Sequence, residues 1–303
     1  MKLTKQFKNV KLVYYTGTGS TEKVTGVFQE NLINRGKQVV VEKISSNINY
    51  INNVEHDLNG NNPDLLILLF PIHACNAPEA VYDWIKNLKD DYNIPTIVIS
   101  VSGGGEISPN TACRVSVIKM LENKNCNVFY EKMIVMPSNF IVPTKHPLSK
   151  MLLEILPYKI QKILDDVEKG VTYRTKPLFY DRTFSKIGEL EKKGTKYFGT
   201  NIKVSDNCTL CEKCIKNCPS NNIELINDKL VFGSKCHICL GCIYACPQKA
   251  LKAGRFKFLV MKEGYNLKEM EKLESVEITE ENVKKVAKGY LWKGVKEYLL
   301  ETD

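Results

Sequence analysis

Along residues 10–135, short apolar runs alternate with segments whose apolar positions recur at helical spacing, the pattern of a parallel sheet covered by helices. Val10–Tyr15 predicts a first strand, followed by a Gly/Thr loop, after which Val24, Val27, Phe28 and Leu32 share one helical face. Gln38–Ile44 predicts a second strand, and Asp64–Phe70 a third that is apolar enough to be buried on both sides. Val81, Trp84, Ile85 and Leu88 repeat at i, i+3, i+4 and i+7, the stripe of a helix packed on a sheet. Thr96–Ser102 predicts a fourth strand ending in Gly103-Gly104-Gly105. A helix over Thr111–Glu122 and a strand over Asn127–Val135 complete a five-strand α/β unit.

Beyond that unit the pattern changes character. Residues 147–169 carry a helical stripe interrupted by Pro157, which predicts a kinked pair of helices. Lys169 to Lys203 is basic, polar and poor in periodicity, and reads as a connection between domains. Ile223–Leu225 and Leu230–Phe232, on either side of Asn227-Asp228, predict a small hairpin. Near the end, Val283, Val286, Ala287, Tyr290, Leu291, Val295 and Tyr298 fall at helical spacing behind Thr279 as N-cap, so a helix there docks on the body of the protein. The aromatic stripe of Tyr290, Trp292 and Tyr298 reads as core and not as a cofactor box.

Composition adds one sharp fact. Of 303 residues 43% are hydrophobic and 25% charged, ordinary for a globular chain, yet 11 are cysteines. Cys75, Cys113 and Cys126 are scattered, and the latter two read as core; the rest lie between Cys208 and Cys246. The longest apolar run, Leu65–Phe70 and on to Ile72, is far short of the roughly 18–20 residues of a membrane span. The first residues lack the apolar core and cleavage site of an export signal, so a cytoplasmic chain is expected. In a reducing compartment, clustered thiols read as metal or cofactor ligands and not as disulfides.

Those thiols form an internal repeat. Cys208, Cys211, Cys214, Cys218 and Pro219 recur 28 positions later as Cys236, Cys239, Cys242, Cys246 and Pro247, each run spaced C-x2-C-x2-C-x3-C-P. Three thiolates at x2 spacing suit one face of an Fe4S4 cube, and the x3 step with proline carries the fourth away. Paired zinc knuckles are the blander alternative, but they have no need of two consecutive four-cysteine runs ending in proline. Over about 50 residues the sequence resembles the bacterial two-cluster ferredoxins, with all the ligand positions and both prolines in place. The resemblance implies crossed ligation of two [4Fe-4S] clusters: Cys208, Cys211, Cys214 and Cys246 for one, and Cys236, Cys239, Cys242 and Cys218 for the other. His237, between two of these ligands, reads either as a hydrogen-bond partner of cluster sulfur or as a solvated loop residue.

The loop after the first strand, Thr16-Gly17-Thr18-Gly19-Ser20-Thr21, combines hydroxyls and glycines at a helix N-terminus, the makings of an anion cradle. It has neither the Gly-Lys-Ser/Thr of a Walker loop nor the G-x-G-x-x-G of a dinucleotide fingerprint. It resembles the FMN phosphate loop of flavodoxins, a likeness that extends over about 130 residues. Loops at the C-terminal ends of the strands bind the ligand in such sheets. The resemblance therefore implies that Pro71, Ile72, His73, Ala74, Cys75 and Asn76 hold the isoalloxazine ring together with Ser102, Gly103, Gly104 and Gly105. Neither loop contains Phe, Tyr or Trp, which leaves His73 as a candidate to stack on one face of an accessible ring. Cys75 reads as a packing residue or as a reactive thiol beside the ring.

Taken whole, the chain resembles the flavodoxin–ferredoxin fusions of anaerobes. The expected division is residues 1–146 as a flavodoxin-like FMN domain, 147–204 as the connection, 205–255 as a two-[4Fe-4S] ferredoxin domain, and 256–303 as a helical extension. The formal charge of +9 invites a nucleic-acid reading, but clusters and a flavin phosphate would reduce it to roughly +3. The cations of the connection (Lys169, Arg174, Lys176, Arg182, Lys186, Lys192, Lys193, Lys196 and Lys203) read as a solvated linker or as a docking patch for an acidic redox partner. No hydrolase-type triad or HExxH pattern is present. The function expected is electron transfer between the clusters and FMN, with a ferredoxin, flavodoxin or oxidoreductase as partner. A ferredoxin-dependent reductase acting on a small acceptor, with His73 and Cys75 at its flavin, and a redox or oxygen sensor are the alternatives.

Overall fold

The computed structural model describes residues 7–46, 63–183 and 192–301. Five strands, β1 (Asn9–Tyr14), β2 (Gln38–Lys43), β3 (Leu65–Pro71), β4 (Pro95–Ser102) and β5 (Asn127–Val135), pair in parallel in the order β2-β1-β3-β4-β5. This is the flavodoxin-like strand order, with its switch point between β1 and β3. Alternation along β3 explains its all-apolar sequence. Leu65, Ile67 and Leu69 enter one core with Val24 and Phe28 of α1 (Ser20–Asn34) and Leu156 and Ile160 of α4 (Leu148–Glu168). Leu66, Leu68 and Phe70 enter the other, with Val81 and Ile85 of α2 (Glu79–Lys86) and Val117 and Leu121 of α3 (Val115–Glu122).

Three expectations need correction. Residues 148–168 form one helix through Pro157. That proline is exposed, so the carbonyl it leaves unbonded can turn to water, while Met151, Leu152, Leu156, Ile160, Ile163 and Leu164 keep an unbroken buried face. The terminal stripe is two helices, Glu280–Val286 and Lys293–Leu300, because Gly289 at φ 81° breaks it and leaves Tyr290 exposed. Thr279 does cap the first of them, accepting from the Asn282 amide at 3.2 Å. The basic connection is anchored at two points, although Lys169, Lys176, Arg182 and Lys203 stay exposed as in a solvated linker. Arg174 reaches Glu122 and Glu131, and the fully buried Asp181 accepts from Ser108 Oγ at 2.7 Å. Lys186 and the side chains of Lys192, Lys193 and Lys196 lie outside the described residues.

A small second domain follows, built from Lys203–Val204 paired antiparallel with Leu251–Lys252 and a hairpin of Ile223–Ile226 with Lys229–Phe232. Asn227 and Asp228 turn that hairpin with positive φ at both positions, as a two-residue turn of its twist requires. Its modest core joins Phe198 and Ile202 to Leu240, Ile243, Leu251 and Ala253. The C-terminal helices pack Val283, Val295, Tyr298 and Leu299 against Leu148, Met151 and Leu152 of α4.

Candidate functional site

The cysteine repeat is a repeat of backbone as well as of sequence. Leu210, Glu212 and Asn221 have positive φ, and so do Ile238, Leu240 and Lys249, each 28 positions on. Non-glycine residues adopt that region at a cost, so its recurrence marks a loop wound to one purpose, which is to bring thiols inward. The fourth cysteine of each run accepts the amide four residues ahead: Asn222 N to Cys218 Sγ and Ala250 N to Cys246 Sγ, both at 3.3 Å. Such N–H donation stabilises sulfur carrying negative charge.

Two sets of thiols come together, and they cross between the runs. Cys208, Cys211, Cys214 and Cys246 line one void with Leu230 and Leu251. Cys218 lies instead beside Cys236, Cys239 and Cys242. Burial, and then the charge of these neighbours, pushes the Cys239 thiol up to about 12 and raises that of Cys242. Bare thiolates repel one another in such a place, and an iron–sulfur core supplies the compensating positive charge. Among the described residues no three His, Cys, Asp or Glu side chains converge on a point that would hold a single metal ion.

The second set sits against the glycine–threonine loop. A Cβ placed on Gly17 would lie 2.4 Å from Cys239 Cβ, and one on Gly241 would lie 2.3 Å from the Gly17 carbonyl oxygen. Only glycine permits that approach of loop to cysteine turn. Around it, Thr18 Oγ1 accepts from Asn139 Nδ2 at 2.6 Å, Ser20 Oγ meets the Tyr265 hydroxyl at 2.7 Å, and Thr16 Oγ1 accepts from the Gly19 amide at 3.1 Å. Asn139 belongs to the segment that leaves β5, in which Ser138 packs on Gly103. That segment thus crosses the C-terminal edge of the sheet from the β4 loop to the β1 loop.

The other two loops flank the same edge. His73 and Asn76 exchange both backbone hydrogen bonds at 2.8 Å around Ala74 and Cys75, which hold positive φ. Buried Tyr15 lies between two imidazoles. Its ring meets His73 edge-on at 6.3 Å, and its hydroxyl is 3.0 Å from His237 Nδ1. His237 is therefore a half-buried partner of the first domain and not a solvated loop residue. Burial, and then its neighbour His237, hold His73 down at about 4. Beneath the Ser102–Gly105 loop, Arg114 is almost wholly buried, donating to Glu131 at 2.6 Å and Ser100 Oγ at 2.7 Å and bonding Glu106 at the loop's end. Cys113 and Cys126 are buried in the core of the sheet domain.

The residues of the loop fit the phosphate of a flavin mononucleotide. Gly19 precedes α1 at φ 95° and no side chain caps the helix, so the amides of its first turn remain donors for an anion. Thr21 is buried with its Oγ1 lacking a hydrogen-bond partner. An unmet buried hydroxyl costs about 1–3 kcal/mol, and a phosphate oxygen would satisfy it.

Tyr15, Asn139, Tyr244 and Tyr265 escaped the sequence reading. Each contributes a hydroxyl or amide to the seam between the domains, yet Asn139 and Tyr265 belong to no motif, and Tyr244 fills a position of the cysteine run that the spacing leaves unspecified. Only Tyr15, next to Thr16, had a positional signal.

Residues 200–270 match the family described as the 4Fe-4S dicluster domain. No curated protein matches the chain. Among solved structures, a flavodoxin from the domain Archaea is similar at 8% identity and a TM-score of 0.34, over 53% of this chain and 99% of that one. The general stress protein 14 of Treponema denticola in complex with FMN is similar at 10% identity and a TM-score of 0.37, over 52% and 99%. A flavodoxin from Pseudomonas aeruginosa is similar at 10% identity and a TM-score of 0.37, over 54% and 98%. The chain thus joins a flavodoxin-like α/β domain to a 4Fe-4S domain, the make-up of a redox protein. Among the described residues no helix is long and apolar enough to cross a membrane.

Proposed function

We propose that this chain is a cytoplasmic iron–sulfur flavoprotein that passes electrons between two [4Fe-4S] clusters and FMN. Cys208, Cys211, Cys214 and Cys246 would hold one cluster, and Cys236, Cys239, Cys242 and Cys218 the other. Thr16, Gly17, Thr18, Gly19, Ser20 and Thr21 would hold the flavin phosphate, with Pro71–Asn76 and Ser102–Gly105 at its ring. Bound FMN exchanges one or two electrons where each cluster exchanges one, which couples two kinds of carrier.

The contact of Gly17 with Cys239 carries this reading, because it brings the second thiol group against the loop that would hold the phosphate. Tyr15, wedged between His73 and His237, is fully buried beside it. The first thiol group faces outward, with Cys211 exposed. Lys213 and Glu212 border it, and exposed Lys216, Lys249 and Lys252 flank its cysteines in sequence. An excess of cations at that end suits an acidic redox protein, whose encounter with it charge complementarity would speed.

Protein purified without oxygen is expected to hold about eight iron, eight sulfide and one FMN per chain, with visible absorbance that dithionite bleaches. Zinc in place of iron, or full clusters that never retain FMN, would overturn the reading.

A further inference from the structure

A recess of about 750 Å³ opens beside the segment that follows β5. Three separate stretches wall it: residues 141–148, residues 257–263 where the chain leaves the small domain, and Val286 with Trp292 of the C-terminal extension. The walls are tied together. Ile141 N donates to the Leu259 carbonyl at 3.2 Å, Met261 N donates to Tyr244 Oη at 3.0 Å, and Tyr244 Oη donates to the Asn139 carbonyl at 2.9 Å. Tyr244 lies between Cys242 and Cys246, and Asn139 bonds Thr18 of the glycine–threonine loop, so hydrogen bonds link the walls of the recess to both the cysteine turn and that loop.

Its lining combines two chemistries. Ile141, Val142, Phe258, Met261 and Trp292 supply apolar surface, of which Phe258 and Ile141 stay 66% and 51% exposed. Apolar surface left open in a recess at a junction between domains is the usual make-up of a small-molecule site, and this volume falls within the range of such sites. The mouth carries Lys145, Lys257 and Lys262 against a single carboxylate, Glu263. None of these lysines makes an ion pair among the described residues, whereas elsewhere Lys132 and Lys159 both reach Glu301.

We propose that this recess binds a small organic carboxylate: an apolar, preferably aromatic, body against Phe258 and Trp292, with its charge at Lys145, Lys257 and Lys262. The assignment rests on the recess alone and stands whichever cofactors the chain holds.

Titration calorimetry of the intact protein with 2-naphthoate, and with uncharged 2-naphthamide, tests it. One naphthoate per chain is expected, bound about tenfold or more tightly than the amide, as a charge-assisted contact provides. Lys257→Glu with Lys262→Glu would weaken naphthoate by about tenfold and leave the amide unchanged, while Phe258→Ala would weaken both. Lys145→Gln, at another point of the rim, serves if the double variant loses its cluster absorbance. Equal binding of acid and amide, no binding of either, or indifference to these substitutions would overturn the proposal. So would a protein dimer that Phe258→Glu dissociates, which would make the recess a self-association face.

Discussion

The Tyr15 hydroxyl and His237 Nδ1, 3.0 Å apart, come from opposite domains and form a polar link in an otherwise buried seam. Burial, and then the neighbouring thiols Cys239, Cys218 and Cys236, hold the Tyr15 phenol well above its ordinary value, so it stays a neutral donor. Tyr15→Phe keeps the ring between the imidazoles but leaves His237 without its partner. The expected loss is about 1–3 kcal/mol in chemical unfolding, accompanied by faster hydrogen exchange at the amides of residues 236–241. Unchanged exchange there would show that the link does not hold the domains.

Two glycines separate steric need from helix propensity. At Gly17 an added methyl would meet Cys239 Cβ at 2.4 Å, and neither group is the tip of a flexible side chain. Gly17→Ala is expected to cost about 1–3 kcal/mol or more and to swing the small domain away, which small-angle scattering reads as a larger radius. Gly26, exposed within α1, has nothing within 4 Å of such a methyl. Gly26→Ala is expected to stabilise the protein by about 0.5–1 kcal/mol through helix propensity alone.

The sheet was legible because period-2 and period-3.6 patterns report burial on a regular element. Asn127–Val135 is a strand in the structure as in the sequence, and the double-sided apolar run of β3 lies between β1 and β4. The crossing of the thiol sets came from the likeness to ferredoxins, because spacing alone cannot say where the fourth cysteine of each run goes. What pattern could not supply was the seam. Asn139 and Tyr265 meet Thr18 and Ser20 across more than a hundred residues, a relation set by docking and not by any local period. Pro157 misled for a related reason: local propensity marks a break, but the continuous apolar face of α4 against the sheet overrides it where the proline faces water.

His73 makes the seam sensitive to acid. Held down at about 4 by burial and by His237, it stays neutral in the folded protein while an unfolded imidazole takes a proton near 6.5. The unfolded state therefore binds more protons between these values. His73's contribution to stability is whole above about pH 6.5, drains as the pH falls toward 4, and is gone below that. Its size is at most about 3 kcal/mol. Denaturant midpoints measured from pH 7.5 to 4.5 should fall more steeply for the native protein than for His73→Asn. Parallel curves would show that His73 is more hydrated than its surroundings imply.

Arg114 lets the cost of a buried charge be measured against its removal. Its guanidinium bonds Glu131, Ser100 and Glu106, and Thr175 Oγ1 at 2.8 Å, so one side chain ties β4, β5 and the connection beneath the Ser102–Gly105 loop. Glu131 is itself buried, though it retains Arg174 at 3.2 Å. Arg114→Leu leaves that carboxylate with only Arg174 and the Thr175 amide and is expected to cost about 3 kcal/mol in thermal or chemical unfolding. Removing both charges, with Arg114→Leu and Glu131→Leu together, leaves no buried carboxylate at position 131 and should cost less than the sum of the two single losses. If the double variant instead loses the sum of the two single losses, the pair does not act as a unit. The loop would then be held in place by Gly103 against Ser138 and Gly105 against Gly294 and not by Arg114 beneath it.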